Sequence, residues 1–276
     1  GSRLEKRHGK FSRHAEEALG EIGFWGLAVP EAFGGSGCTM LELTRAITRL
    51  AVCEPTAAGM LSVHSSIGAV SALIAFGSPQ QQSRHLPGLA QGRPLSIFGA
   101  TEPQAGCDLG AIRSVLERCD GHLLLSGRKQ FITGATYGRL VKLLAIHEGR
   151  PTVVLVRLPA TDTATFSLRR YGLHPLKHAH NNGLDFRAFN VDEVDILQPP
   201  ECAHSQDGMQ IVWHGINRGR VTLAAQAAGT LRMLLAGARD YSLKRCTWGQ
   251  PIAARELVQG RLARMAASTI ACDSLA

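Results

Sequence analysis

Two short segments of this chain carry the residue types that hold a planar redox ring. Thr101-Glu102-Pro103-Gln104-Ala105-Gly106-Cys107-Asp108 follows the apolar run Ile97-Phe98-Gly99-Ala100, and Gly127-Arg128-Lys129-Gln130-Phe131-Ile132-Thr133-Gly134 closes a second extended stretch. A hydroxyl residue at the end of each, with one hairpin between, can bring two Thr side chains and nearby peptide N–H groups to one edge of a flat ligand. A flavin takes up hydride at such an edge, and donors aimed there stabilise the negative charge of reduction. Plainer readings stay open: Thr101 as a strand-end residue beside a turn-forming proline, Cys107 as a small buried hydrophobe, and Phe131 as a core aromatic on a strand.

The elements that must position these residues change character along the chain. Residues 11–95 carry helical spacing, with apolar residues three and four apart in Leu41 to Leu50 and Ile67 to Phe76. Breaks are expected at Pro30, Gly34-Gly35, Pro55, Gly77-Ser78-Pro79 and Pro87. From about 96 to 200 the pattern turns to short β runs, Leu123 to Leu125, Val141 to Ile146, Val153 to Val156 and Phe186 to Phe189, divided by Gly, Asp, Asn and Pro. Asn181-Asn182-Gly183 reads as one of these turns. After Asp207-Gly208 a helix runs to about Lys244, and another begins near Ala253. The fold class is α+β: an N-terminal all-α domain over 1–95, a largely antiparallel barrel or sandwich over 96–204, and a C-terminal helical domain over 205–276.

The two motif segments resemble those of the acyl-CoA dehydrogenase family, whose middle domain carries a TEPGAGSD-like turn and then a G-x-K-x-W-I-T segment. Three more landmarks fall in order: Gly26 to Gly35 resembles GL-x-x-PE-x-x-GG, Leu86 to Gly92 matches LP-x-L-x-x-G, and Arg245 to Gly249 matches R-x-x-FG. The resemblance implies an FAD enzyme that oxidises an acyl thioester, on CoA or on an acyl carrier protein, to its α,β-unsaturated form and passes electrons to an electron-transfer flavoprotein. It places Phe98, Ala100, Thr101, Gly106, Cys107, Phe131, Ile132 and Thr133 at the flavin, with Cys107 also at the thioester where the family has Ser. Arg245, Thr247 and Trp248 match positions that hold the dinucleotide of a neighbouring subunit, implying a homodimer or homotetramer. A guanidinium suits a pyrophosphate because its donors form a planar fork, although Arg245 also reads as a helix C-terminal cation. Asn217 and Arg220 match substrate-contacting positions at the long helix, with a solvated helical turn as the bland alternative. Glu256 stands where the family commonly has Gln. The catalytic base is not identifiable: the late Glu segment is absent from this sequence, Gly219 occupies the alternative position, and Glu102 belongs to the turn. The closing bundle is accordingly read as partial. An oxidase or monooxygenase on the same fold, and a non-catalytic thioester-binding relative, are the rival functions.

Composition narrows the field further. With 276 residues, 45% of them apolar and 19% charged, the chain is an ordinary globular one. The net charge of +8 is spread along the sequence without an aromatic-rich basic motif, which argues against nucleic acid. No secretory signal and no run of about 20 apolar residues is read. Seven cysteines are scattered without a C-x-x-C pair, so reduced thiols and a cytoplasmic location, or a mitochondrial matrix in a eukaryote, are expected. His174, His178, His180 and Asp185 invite a metal reading, but an exposed hairpin is the preferred account of them and no metal is assigned.

Overall fold

The computed structural model describes residues 10–173, 178–198 and 208–276. Its helices are α1 (Arg13–Glu21), α2 (Met40–Ala51), α3 (Pro55–Ser62), α4 (Ala69–Phe76), α5 (Pro79–Ala90), α6 (Met209–Lys244) and α7 (Glu256–Leu275). The strands are β1 (Ser96–Gly99), β2 (Val115–Cys119), β3 (His122–Thr133), β4 (Leu140–His147), β5 (Arg150–Arg157), β6 (Phe166–Arg170), β7 (Asn181–Val191), β8 (Ile196–Leu197), β9 (Cys246–Thr247) and β10 (Gln250–Pro251). The chain forms two compact units, one of residues up to Cys38 with Val63–Gly219, the other of Thr39–Ser62 with Arg220–Ala276. The division falls inside α6.

In the first unit, β1 to β8 join into one sheet in the order β6-β7-β3-β2-β4-β5-β8, with β1 added alongside β4. Neighbours are antiparallel except for β1 with β4 and β2 with β4. Alternation along β4 and β5 sorts their side chains between two cores. Leu140, Leu144, Val153 and Leu155 join α4, α5 and the start of α6 in one core, whereas Val141, Leu143, Ala145, Val154 and Val156 join β3 and β7 in the other. Capping fixes where the helices begin: Ser78 and Gln81 form a reciprocal capping box at α5, and Gln81 Nε2 also donates to the carbonyls of Val194 and Ile196.

The second unit packs α2 and α3 against the later turns of α6. Thr48 Oγ1 donates to Ala225 O, Ser62 and Thr222 share a hydrogen bond of 2.7 Å, and Gln226 Nε2 donates to Pro55 O. A capping box of Thr39 and Glu42 starts α2, and an ion pair joins Arg232 to Asp273 of α7.

Two sequence expectations are corrected. Pro87 does not break its helix but lies within α5 near its end, where the missing N–H forfeits a single backbone bond. Asn181-Asn182-Gly183 is the start of β7, not a turn, in register with β3 at Thr133↔Asn181 and Ile132↔Asn182. Pro55–Phe76 and Met209–Lys244 are long and apolar enough to cross a membrane by length and composition, and the first is 67% buried within the fold. The first consists of α3 and α4 joined by a π-helical turn, Val63–Ile67.

Candidate functional site

The Thr101 turn is anchored from beneath by a buried ion pair. Lys129 Nζ donates to Glu102 Oε1 at 2.6 Å, and also to the carbonyls of Ala100 at 3.2 Å and Leu144 at 2.6 Å. The same carboxylate accepts from the backbone N–H groups of Arg113 and Ser114 and from Gln104 Nε2. Burial alone would raise the Glu102 pKa, but Lys129 and these donors hold it below its ordinary value. Burial pushes Lys129 down to about 8 against the pull of Glu102, so both groups are charged at neutral pH. Glu102 is therefore spent on structure, as its place in the turn suggested.

Antiparallel contacts then lay β3 along this turn. Gln130 N donates to Thr101 O at 2.9 Å, and Gln130 Nε2 to Glu102 O at 3.2 Å. Four residues on, Gly134 faces Ile97 of β1. Thr101 consequently lies beside Gln130, three residues before Thr133, in the strip where the turn runs along β3.

A bulge between Lys129 and Ile132 sets the facing of this strip. It turns Lys129 and Ile132 both inward and leaves Phe131 outward, 49% exposed, at φ 56° in the left-handed region. Earlier in β3, Gly127 meets Ser114 so closely that a Cβ would overlap it. The Phe131 ring sits 5.5 Å from that of Tyr171. The turn after Thr133 is fixed by Arg139, which donates to Gly134 O and makes a two-pronged ion pair with Glu16 at 2.6 and 2.9 Å.

The predicted residues divide by what they can offer. Phe98, Thr101 and Thr133 are half-buried, and Gly106, Cys107 and Phe131 are exposed. Ala100 and Ile132 have their side chains in the two cores, so only their backbone can face a ligand. Arg245, Thr247 and Trp248 belong to the second unit, at the β9–β10 hairpin. Trp248 is 89% exposed and stacks on the Arg255 guanidinium, which also donates to Thr247 O and Oγ1. Glu256 opens α7 and is exposed. Asn217 falls in the first unit and Arg220 in the second, both exposed. His174 lies outside the described residues. His178 and His180 lead into β7, and Asp185 pairs with Arg128 and Arg169. Among the described residues no group of three His, Cys, Asp or Glu could hold a metal ion.

Three polar residues near this strip escaped the sequence reading. Lys142, on β4 opposite Phe98, has a fully buried Nζ 4.6 Å from the centre of the Phe98 ring and, among the described residues, no hydrogen-bond partner. Burial pushes its pKa down to about 7. Gly215 makes room for it, since a Cβ there would overlap the amine. A lysine inside the apolar run Leu140 to Ile146 was the available signal. His64 in the π-helical turn accepts from Ser96 N at Nδ1 and so donates from Nε2 to Leu89 O, joining α5 to β1. Its burial pushes its pKa to about 4. Asn181, 8% exposed, donates from Nδ2 to Thr133 Oγ1 at 3.3 Å, while its Oδ1 is buried without a partner.

A half-exposed aromatic, two hydroxyls on one strip and an unused buried acceptor beside one of them fit the polar edge and apolar face of a flavin. With helices before and after the sheet, fold and site define a flavoprotein of dehydrogenase architecture. Residues 2–93, 97–188 and 206–276 match the N-terminal, middle and C-terminal domains of acyl-CoA dehydrogenase. A Bacillus subtilis acyl-CoA dehydrogenase is 31% identical over 255 residues, covering 90% of this chain and 65% of the relative. The butyryl-CoA dehydrogenase structure from Megasphaera elsdenii superposes with a TM-score of 0.82 at 26% identity, covering 95% of this chain and 69% of that one. An acyl-CoA dehydrogenase from Bacillus anthracis complexed with FAD gives 0.83 at 26% identity, over 93% of this chain and 43% of that one. The chain belongs to the acyl-CoA dehydrogenase family. It spans 65% of the length of the Bacillus subtilis relative.

Proposed function

We propose that the protein binds FAD and takes part in α,β-dehydrogenation of an acyl thioester, carried on CoA or an acyl carrier protein. The observation that carries this reading is the Glu102–Lys129 pair, which pins the Thr101 turn to β3 so that Thr101 and Thr133 share one strip. FAD supplies the hydride acceptor. Thr101 and Thr133 offer hydroxyls to the edge of the ring where negative charge develops, and Phe131 covers a face of it. Gly106 and Cys107 offer exposed backbone, and a thiol in place of a hydroxyl, toward the thioester, with Asn217 and Arg220 as further substrate contacts. Arg245, Thr247 and Trp248 take the pyrophosphate end of a dinucleotide in a neighbouring subunit of a dimer or tetramer, with Arg255 holding Thr247 in place. Proton removal is not assigned: Glu102 is bound by Lys129, and Gly219 has no side chain to offer. Electrons leave to an electron-transfer flavoprotein, in the cytoplasm or, in a eukaryote, the mitochondrial matrix.

Anaerobic titration of the purified protein with a mixed acyl-CoA pool, followed by visible absorption, tests this. Flavin bands that bleach on addition and recover only with an electron acceptor are expected. Rapid recovery in air would make the protein an oxidase, and a protein that neither contains nor takes up FAD would overturn the reading.

A further inference from the structure

The two consecutive asparagines that open β7 are used differently. Asn182 is fully engaged: its Nδ2 donates to Ala135 O at 2.8 Å and its Oδ1 accepts from Tyr171 N at 3.3 Å. Asn181 is as deeply buried, yet among the described residues its side chain makes one hydrogen bond, from Nδ2 to Thr133 Oγ1, and its Oδ1 meets no donor. A buried amide oxygen without a donor is destabilising, so its persistence next to a half-exposed hydroxyl calls for a ligand.

The geometry of that one bond has a chemical consequence. A threonine hydroxyl has one proton. When Asn181 Nδ2–H donates to Oγ1, that proton must point elsewhere, and among the described residues Thr133 donates to no group. The backbone holds the pair in place: Thr133 and Asn181 face each other across β3 and β7, and Arg139 fixes the turn that follows.

We infer that Asn181 is a positioning residue for the cofactor: it orients the Thr133 hydroxyl as a donor to the isoalloxazine ring and leaves its own Oδ1 to accept from an ordered water beside it. This rests on the reading of Thr133 as a flavin contact. The opposite amide orientation would put Oδ1 on Thr133, capture the hydroxyl proton and leave the ring without that donor, so the two orientations predict different variants.

The test is FAD binding to the deflavinated protein, followed by fluorescence quenching, together with the flavin midpoint potential of the reconstituted protein. T133V is expected to weaken FAD binding about five-fold, the equivalent of one lost hydrogen bond. N181A should weaken it by a similar factor, and N181A/T133V no more than T133V alone. N181D, which can only accept from Thr133, should lower the midpoint potential as T133V does, whereas N181S, which keeps a donor, should retain it. Circular dichroism selects the folded variants, and N181S with N181D suffices if N181A does not fold. If T133V binds FAD as the wild type does, the flavin reading of Thr133 falls, and the inference with it. If T133V weakens binding but N181A is neutral or additive with it, or N181D leaves the potential unchanged, the inference alone falls.

Discussion

Replacing Lys142 with methionine should stabilise the protein, and by an amount that depends on pH. The amine is fully buried between the sheet and Gly215, and among the described residues it has the Phe98 ring beside it, no hydrogen-bond partner and no counterion. Its pKa is about 7 in the folded protein against 10.5 for the free side chain. Between those values the unfolded chain holds a proton that the folded protein has released, so stability rises with pH across that window. Below pH 7 both states are charged and the folded one bears the whole cost. A depression of about 3.5 pH units, at 1.36 kcal/mol each, corresponds to about 5 kcal/mol. K142M removes the charge while keeping the length of the chain and its contact with Phe98. Urea unfolding of both proteins from pH 6 to 10.5, followed by the fluorescence of buried Trp25, measures the difference. The variant should be more stable by a few kcal/mol at pH 6 and should converge on the wild type by pH 10.5. Stability profiles that run parallel across the whole range would refute the argument, because a fixed gap would mean that Lys142 is never buried as a cation.

Breaking the ion pair under the Thr101 turn from one side should be costly. K129M or E102Q is expected to lose about 3–5 kcal/mol by urea unfolding, since each strands a buried partner, and the double variant should recover part of that loss. A single variant with unchanged stability would mean the pair is not buried as described. In the second unit, R245A should lower FAD affinity about ten-fold or more, the scale of a charge-assisted contact to phosphate. Equal affinity, measured by ultrafiltration of the reconstituted oligomer, would remove the β9–β10 hairpin from the cofactor site.

The parts of the fold that follow a simple period were legible in the sequence. The near-continuous apolar runs Val141 to Ile146 and Val153 to Val156 mark strands buried on both faces, between two cores, and the spacing of Leu41 to Leu50 marks the helix that became α2. Punctuation residues were less dependable, because their meaning depends on partners distant in sequence. Asn181-Asn182-Gly183 has the composition of a turn, but Asn182 donates to Ala135 O and accepts from Tyr171 N, and Asn181 donates to Thr133, which gives those side chains a place in a strand. Pro87 lies close enough to the end of α5 for the helix to absorb it. The motif residues pointed to the site, but the support for it was hidden. Nothing local to Glu102 says that Lys129 will reach it from beneath, and nothing in Phe131 announces a bulge that turns it outward at positive φ. Lys142 was visible as an oddity in an apolar run, but its solitude became evident only once the sheet had set it behind Phe98.

The parallel pairing of β1 with β4 bears on the order in which this molecule can be made. Ser96 meets Leu140 and Gly99 meets Leu143, so β1 cannot be zipped into place by a turn of its own. Its partner lies about forty residues ahead, and closing a loop of that length costs entropy before any contact rewards it. The β2–β3 and β4–β5 pairs close over short connections, and they supply both Leu143 for β1 and Lys129 for Glu102. A nascent chain emerging from the ribosome therefore holds the Thr101 turn idle until β4 has followed it out, and the turn is completed late, on a scaffold that has formed without it.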